Sequence, residues 1–248
     1  MLLVARRPDR NRSTADRSIE QASAERRVPA GSPRRRVDHV LAVGGLCVTA
    51  VGMLLVAEGT VPAWERQVFL AINGLPDWLY RPLWPVQQLG GLIVGPIVAL
   101  VALALRRYRL AAAAVLATVG KLLLEAAVKG LVDRQRPASS VGGEVIRRGV
   151  VSYSGKSFVS GHALLATALV TLVVPQVPAR WRPVPLVLLA LLLFTRVYVG
   201  AHNPLDVLCG AALGAALGGV LNLAFKLPER AAQAAEAKRL ATSSGHSS

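Results

Sequence analysis

The sequence predicts an all-α fold, a polytopic membrane protein built as a six-transmembrane-helix bundle, and three observations carry that prediction. Of 248 residues, 53% are apolar and only 17% are charged. A mean hydropathy of +0.45 is high for a soluble domain. The apolar residues lie in long runs, each close to the ~20 residues that cross ~30 Å of hydrocarbon as a helix. Together these exclude a disordered chain, a fibrous repeat and a disulfide-stapled secreted domain.

Residues 1–36 come first. Ten arginines against four acids give this stretch a net charge of +6. With few apolar residues to bury, it is expected to be a disordered cytoplasmic tail. No apolar run follows the first Met, so no cleaved signal peptide is expected. The arginines read as a topology signal, each worth about 1 kcal/mol of attraction when held near an anionic lipid surface.

Six apolar segments follow, at about 39–57, 89–105, 110–128, 161–178, 183–200 and 206–225. Inside hydrocarbon every backbone polar group must be paired within its own segment, so each is assigned as a helix. Residues 37–227 form the membrane domain, and 228–248 a cytoplasmic C-terminal tail. Between the first two segments, Trp64, Trp78, Tyr80 and Trp84 are interface anchors by type, and residues 68–75 are expected to form a short helix on the membrane surface. Cys47 and Cys209 each sit in an apolar run and read as small fillers. With no CxxC and no Cys/His cluster, no metal and no other cofactor is expected.

Lys and Arg in the connections set the orientation. The N-terminal tail, Arg106, Arg107 and Arg109, Arg180 and Arg182, and Lys226, Arg230, Lys238 and Arg239 all fall on one side of a six-span chain. Positive charge marks the cytoplasmic side, so both termini are expected inside the plasma membrane. Loops 58–88, 129–160 and 201–205 then face outward. The 129–160 loop is itself basic, which demands another use for its cations.

Three clusters in those outer loops carry chemistry. Lys129 and Arg136 are seven residues apart, two helical turns less about 20°, so on a helix they share a face. Arg134, between them, points elsewhere. Ser160-Gly161-His162 opens the fourth segment as an N-cap, leaving free N–H groups and a positive dipole end that suit an anion. Arg196 lies within an apolar run, where an unpaired charge costs a few kcal/mol. Asn203-Pro204 reads as N-cap and N1 of the last helix, which puts Asp206 in its first turn. From there Asp206 can hold His202 by one ring nitrogen and leave the other free to attack.

Each cluster alone has an ordinary reading: snorkelling cations, a plain N-cap, a dipole-matching acid. Together they do not. The topology puts Lys129, Arg136, Ser160, His162, Arg196, His202 and Asp206 at one membrane face, and three cations, a helix N-terminus and two histidines describe a pocket for a phosphate whose bond is to be cut. Lys121, Glu125 and Lys129 recur every four residues on one helix face. They read equally as a functional group or as i,i+4 pairs hiding charge, and Glu125 is left outside the catalytic set. His39 and His246 belong to no motif of the sequence and are left outside the site.

The spacing K-x6-R-P from Lys129 to Pro137, S-G-H from Ser160 to His162, and R-x5-H-x3-D from Arg196 to Asp206 resembles the type 2 phosphatidic acid phosphatase (PAP2) family, over roughly residues 39–225. The resemblance implies a membrane enzyme that hydrolyses lipid phosphates or polyprenyl diphosphates without metal. It implies that His202 is the nucleophile and forms a phosphohistidine, that Asp206 orients it, and that His162 protonates the leaving oxygen and then activates water. Lys129, Arg136, Arg196, Ser160 and the Gly161 N–H neutralise the phosphate oxygens. Val159 stands where the family usually has Pro and Thr195 where it usually has Ser. Neither removes a titrating group, so activity is expected to survive. A lipid phosphotransferase and a non-catalytic binder of anionic lipid are the competing readings. Six spans argue against a soluble vanadate peroxidase, and no folded motif accompanies the basic tail to bind nucleic acid. The expected partner is a lipid phosphate drawn from the bilayer.

Overall fold

The computed structural model describes residues 33–142 and 145–227. The expectations for the two tails lie outside the described residues, except that residues 33–36 already belong to the first helix. Eight helices are described in the chain: α1 (Pro33–Leu55), α2 (Ala63–Asn73), α3 (Tyr80–Gln88), α4 (Val94–Ala104), α5 (Tyr108–Leu131), α6 (Gly161–Val173), α7 (Pro183–Tyr198) and α8 (Pro204–Phe225). A single helical turn, Pro137–Ser140, and short 3₁₀ turns complete the described elements, and no strand occurs among them.

All six apolar segments are helical, but they are not equal. Four are long and apolar enough to cross a membrane by length and composition: α1, α5, α7 with the turn before it, and α8. The other two, α4 with 11 residues and α6 with 13, are shorter apolar helices. The second segment is shortened because Gly90 and Gly91 break it into turns before Val94. The fourth is shortened because Pro175 follows directly on its last turn, within a 3₁₀ turn at Val174–Gln176. Of the stretch expected at 68–75, residues 68–73 are helical, within α2, which starts earlier at Ala63 and ends at Asn73.

Helix α8 packs most extensively on α6 and also meets α5, α7 and α2. Gly210, Gly214 and Gly218 recur every fourth residue along it, and α6 lies against that row. A Cβ at Gly214 would sit 2.2 Å from the Leu164 carbonyl oxygen, and one at Gly218 would sit 2.6 Å from Thr171 Cβ. Lipid tails are as apolar as the helices, so close backbone packing on small residues replaces hydrophobic exclusion as the adhesive. Alanines extend the same logic: Ala113, Ala114 and Ala117 of α5 and Ala168 of α6 are buried together with Leu165 and Leu172. Large apolar side chains point outward instead, such as Val40, Val43, Leu100 and Leu123, the distribution expected where hydrocarbon is the solvent.

The helices that carry the three motifs meet at one end of this assembly. There α5 ends, α6 begins, α7 ends and α8 begins. At the opposite end lie Arg106, Arg107 and Arg109 before and within the first turn of α5, Arg180 and Arg182 ahead of α7, and Lys226 capping α8. The bundle is thus basic at the end away from the motifs.

Candidate active site

Local backbone chemistry sets the three motif segments side by side. Val132 leaves α5 in extended conformation and Arg136 is extended too. Lys129 and Arg136 therefore do not share a helix face as the spacing suggested: Arg136-Pro137 starts a new turn, since the residue before a proline avoids the helical region. The freed strand-like stretch pairs with the segment before α6. Gln135 and Lys156 form an antiparallel bridge, and the Ser157 N–H donates to Arg134 O at 2.7 Å. The Ser160 N–H donates to Asp206 O at 2.9 Å, and Arg136 Nη1 to Ala201 O at 2.9 Å. Three loops distant in sequence are laced by their own polar groups.

The two helix starts are capped as the sequence predicts. Ser160 Oγ accepts from the Ala163 N–H at 3.5 Å. Asn203 is the N-cap of α8 with Pro204 at N1, and Asp206 completes a capping box by accepting the Asn203 N–H at 2.9 Å. Thr195 gives its hydroxyl to Leu191 O of its own helix, so the site does not use it. The peptide between Phe158 and Val159 is cis.

A cavity of about 560 Å³ lies over these loops, roofed by Tyr80, Trp84 and Gln87 of α3. Of the predicted residues, His162, His202, Arg136, Arg196 and Gly161 line it. Gly90 lets the chain pass beside His162, because a Cβ there would lie 2.8 Å from His162 Cβ. Ser160 is buried behind the wall as the cap. Lys129 reaches the cavity only through Glu125, a wall residue that accepts from Lys129 at 2.5 Å and pairs with Lys121 at 2.8 Å. Arg136 and Arg196 are both buried, and Nε of Arg136 and Nε and Nη1 of Arg196 have no partner among the described residues. Buried guanidinium nitrogens without acceptors are costly unless an anion is to supply them.

The arrangement around His202 departs from expectation. Asp206 Oδ2 lies 3.8 Å from His202 Nδ1, beyond hydrogen-bond distance. Ser157 fills the gap. Its Oγ is 3.3 Å from His202 Nδ1 and it donates a short bond to Asp206 Oδ2. Because the hydroxyl hydrogen goes to the carboxylate, the oxygen accepts from Nδ1–H, and Nε2 is left as the basic nitrogen. Burial, with Arg196, Arg136 and Lys129 adding to it, holds the imidazole well below the ordinary histidine range, hence neutral at pH 7.

Beneath this relay lies a buried ion triad. Arg134, which the sequence reading set aside, donates from Nη1 to Asp206 Oδ1 at 2.9 Å and from Nη2 to Glu65. Glu65, from α2, also accepts the Leu205 N–H at 2.8 Å in the first turn of α8. All three side chains are fully buried. Three cations of the basic 129–160 loop thus have a use: Arg134 serves the triad, Arg136 the cavity, and Arg148 donates to the Asn73, Leu75 and Tyr198 carbonyls and to Asp77 while stacking 4.2 Å over the Tyr198 ring. Ser157, Arg134 and Glu65 are the residues the sequence reading missed. A second arginine beside the motif was the one visible signal; Glu65 gave none.

Known proteins bear on this geometry. Decaprenylphosphoryl-5-phosphoribose phosphatase of Mycobacterium tuberculosis is 29% identical over 195 residues, covering 77% of this chain and 91% of that protein. The crystal structure of Aquifex aeolicus LpxE superposes with a TM-score of 0.56 at 23% identity, covering 62% of this chain and 92% of that one. A transmembrane PAP2-type phosphatidylglycerolphosphate phosphatase from Bacillus subtilis gives 0.57 at 20% identity, covering 78% and 98%. These two share the fold. Residues 104–229, which hold all three motifs and just over half of the chain, match the PAP2 superfamily. With its cations, its two histidines and its helix N-terminus gathered on one cavity, the chain belongs to the PAP2 superfamily and is a phosphatase of that family.

Proposed function

We propose that this protein dephosphorylates a lipid-linked phosphate, of the polyprenyl or phosphatidate type, through a phosphohistidine on His202 and without metal. One observation carries the reading: a buried, neutral His202 with Nδ1 engaged by Ser157 lines the same cavity as the unpaired guanidinium nitrogens of Arg136 and Arg196.

In the first step His202 Nε2 attacks phosphorus and the bond to the lipid oxygen breaks, His162 giving that oxygen its proton. In the second, His162 takes a proton from water, the water oxygen attacks phosphorus, and the P–N bond breaks to release phosphate. Arg136, Arg196 and the Gly161 N–H hold the equatorial oxygens. Lys129 joins them when phosphate competes with Glu125, and Ser160 fixes the start of α6. Asp206, through Ser157, favours the cationic ring of the intermediate.

All six apolar segments span the bilayer in this reading, α4 and α6 with the turns that flank them. Basic residues at the end of the bundle away from His202 support an extracytoplasmic site, with both termini in the cytoplasm of a plasma membrane. The likeness to the decaprenylphosphoryl-5-phosphoribose phosphatase supports a polyprenyl-linked substrate. In detergent with EDTA, the wild type releases phosphate from a polyprenyl phosphate and His202→Ala does not. Near wild-type release by His202→Ala would overturn the mechanism, and an alkali-stable, acid-labile phosphoryl adduct trapped on His202 would support it.

A further inference from the structure

At the end of the bundle away from His202, a second cavity opens at the turn between α4 and α5. The Arg106 N–H donates to Leu103 O and the Arg107 N–H to Ala102 O, both at 2.8 Å, and Arg106 takes the left-handed conformation with φ 55°. Glycine is usual at that place in such a turn, and an arginine meets steric resistance there. The turn sets Arg106, Arg107 and Arg109 around a cavity of about 410 Å³, with Gln176 from the 3₁₀ turn after α6 also in its wall. Arg107 Nη1 donates to Gln176 Oε1 at 3.1 Å, a neutral acceptor that leaves the charge uncompensated. Arg106 and Arg109 form no ion pair among the described residues, and none of the residues lining the cavity is acidic. Three guanidinium groups thus crowd the start of α5, where the helix dipole disfavours cations.

An apolar groove of about 320 Å³ joins this cavity, for Arg107, Leu110 and Gln176 line both. One face of α4 forms a side of it: Ile97, Val101 and Leu105 recur every fourth residue, each about half exposed or more. Val173 and Val177, at the end of α6 and beyond it, line it too. From Leu105 to Ile97 is about 12 Å along the helix, within the ~15 Å depth of one leaflet's hydrocarbon.

We infer that cavity and groove together bind an anionic phospholipid of the leaflet on that side, its phosphate among Arg106, Arg107 and Arg109 and one acyl chain along α4. A basic pocket between membrane helices recognises a phosphate-bearing headgroup by charge and by guanidinium hydrogen bonds. The groove decides between a lipid and a free anion, since only a molecule with an anionic head and an apolar chain fills both joined spaces. The site is separate from the catalytic one: the two cavities share no residue, and Gln176 and His162 lie at opposite ends of α6. The lipid ties the α4–α5 turn to the end of α6, as the Arg107–Gln176 bond already does, so its effect is on stability by mass action.

The test uses the intact, delipidated protein in detergent, given phosphatidylglycerol or phosphatidylcholine with identical chains. Phosphatidylglycerol is expected to raise the unfolding midpoint by about 2 °C or more over phosphatidylcholine, and native mass spectrometry to show it preferentially retained. Arg109→Gln, which leaves the Arg107–Gln176 bond in place, is expected to weaken that retention by about fivefold or more. Arg180→Gln removes the same charge from the same end, at a residue that lines neither space, and should not weaken it. Equal loss in the two variants overturns the inference, since the lipid then answers only to net charge. Unchanged retention in Arg109→Gln overturns it as well, placing the lipid elsewhere. Val101→Trp, which fills the groove without changing charge, is also expected to weaken retention; no change counts against the acyl chain's place. Inorganic phosphate that raises the midpoint as much as phosphatidylglycerol overturns the lipid assignment and leaves a plain anion site. Reading each variant as a difference between two lipids keeps its own change in stability out of the result.

Discussion

Ser157 Oγ lies 3.3 Å from Nδ1 of His202, nearer than Oδ2 of Asp206 at 3.8 Å, the carboxylate to which the imidazole was expected to bind. The hydroxyl passes the carboxylate's influence to the ring and fixes its tautomer. Ser157→Ala leaves Nδ1 without an acceptor and takes from Asp206 one of its donors, the Asn203 N–H and Arg134 remaining, a loss of about 1–3 kcal/mol for a buried pair. The expected result is a fall in kcat of about tenfold or more with KM little changed, because no phosphate contact is removed. Ser157→Thr, which keeps the hydroxyl, should recover part of the loss. Steady-state kinetics on the two variants decide it: an unchanged kcat in Ser157→Ala means the serine only fills space.

The buried triad makes a stability prediction of opposite character. Arg134 pairs with both Glu65 and Asp206, and all three side chains are fully buried. Arg134→Met leaves two carboxylates unpaired, which costs about 3–5 kcal/mol. Glu65→Gln keeps a hydrogen-bond acceptor for the Leu205 N–H and removes one charge. It should be much the milder change. Thermal unfolding in detergent is expected to rank them in that order, and combining Glu65→Gln with Arg134→Met should restore part of the stability lost.

Protonation of His202 links stability to pH. The folded ring resists protonation, whereas in the unfolded chain it titrates near 6.5. Between those values the unfolded state binds the extra proton, so stability rises with pH and is lost as pH falls below about 6.5. The loss approaches about 1.4 kcal/mol per pH unit for this one group. Unfolding midpoints of the wild type should therefore fall more steeply from pH 7 to pH 5 than those of His202→Gln. Parallel curves would mean that the buried imidazole is already charged.

The parts of this protein legible in its sequence are those governed by local or repeating chemistry. Run lengths located all six helical segments, and capping chemistry located the starts of α6 and α8 at Ser160 and Asn203. Five of the eight expected site residues line one cavity. What escaped depended on chain paths between elements. Treating Lys129 to Arg136 as one helix overlooked how Val132 and Pro137 break it, and so gave Arg134 no role. Ser157 was invisible because its function exists only once the Gln135–Lys156 bridge holds it beside His202. Glu65 comes from a helix with no motif, and only its complete burial marks it.

Helix packing gives the sharpest contrast between two identical substitutions. A methyl at Gly214 would lie 2.2 Å from the Leu164 carbonyl oxygen, a backbone atom that cannot swing aside, whereas a methyl at Gly44 would meet nothing within 4 Å. Gly214→Ala must push α8 off α6, and overpacking of this kind costs about 1–3 kcal/mol. The shift also moves Gly210, against which the Ser160 backbone rests, so the start of α6 and the bond from the Ser160 N–H to Asp206 move with it. Gly214→Ala should lose both thermal stability and kcat. Gly44→Ala, also within a helix, should gain up to about 1 kcal/mol from higher helix propensity and keep its activity. Measuring both quantities for both variants tests whether close α6–α8 contact holds the site in register; equal behaviour of the two would show that it does not.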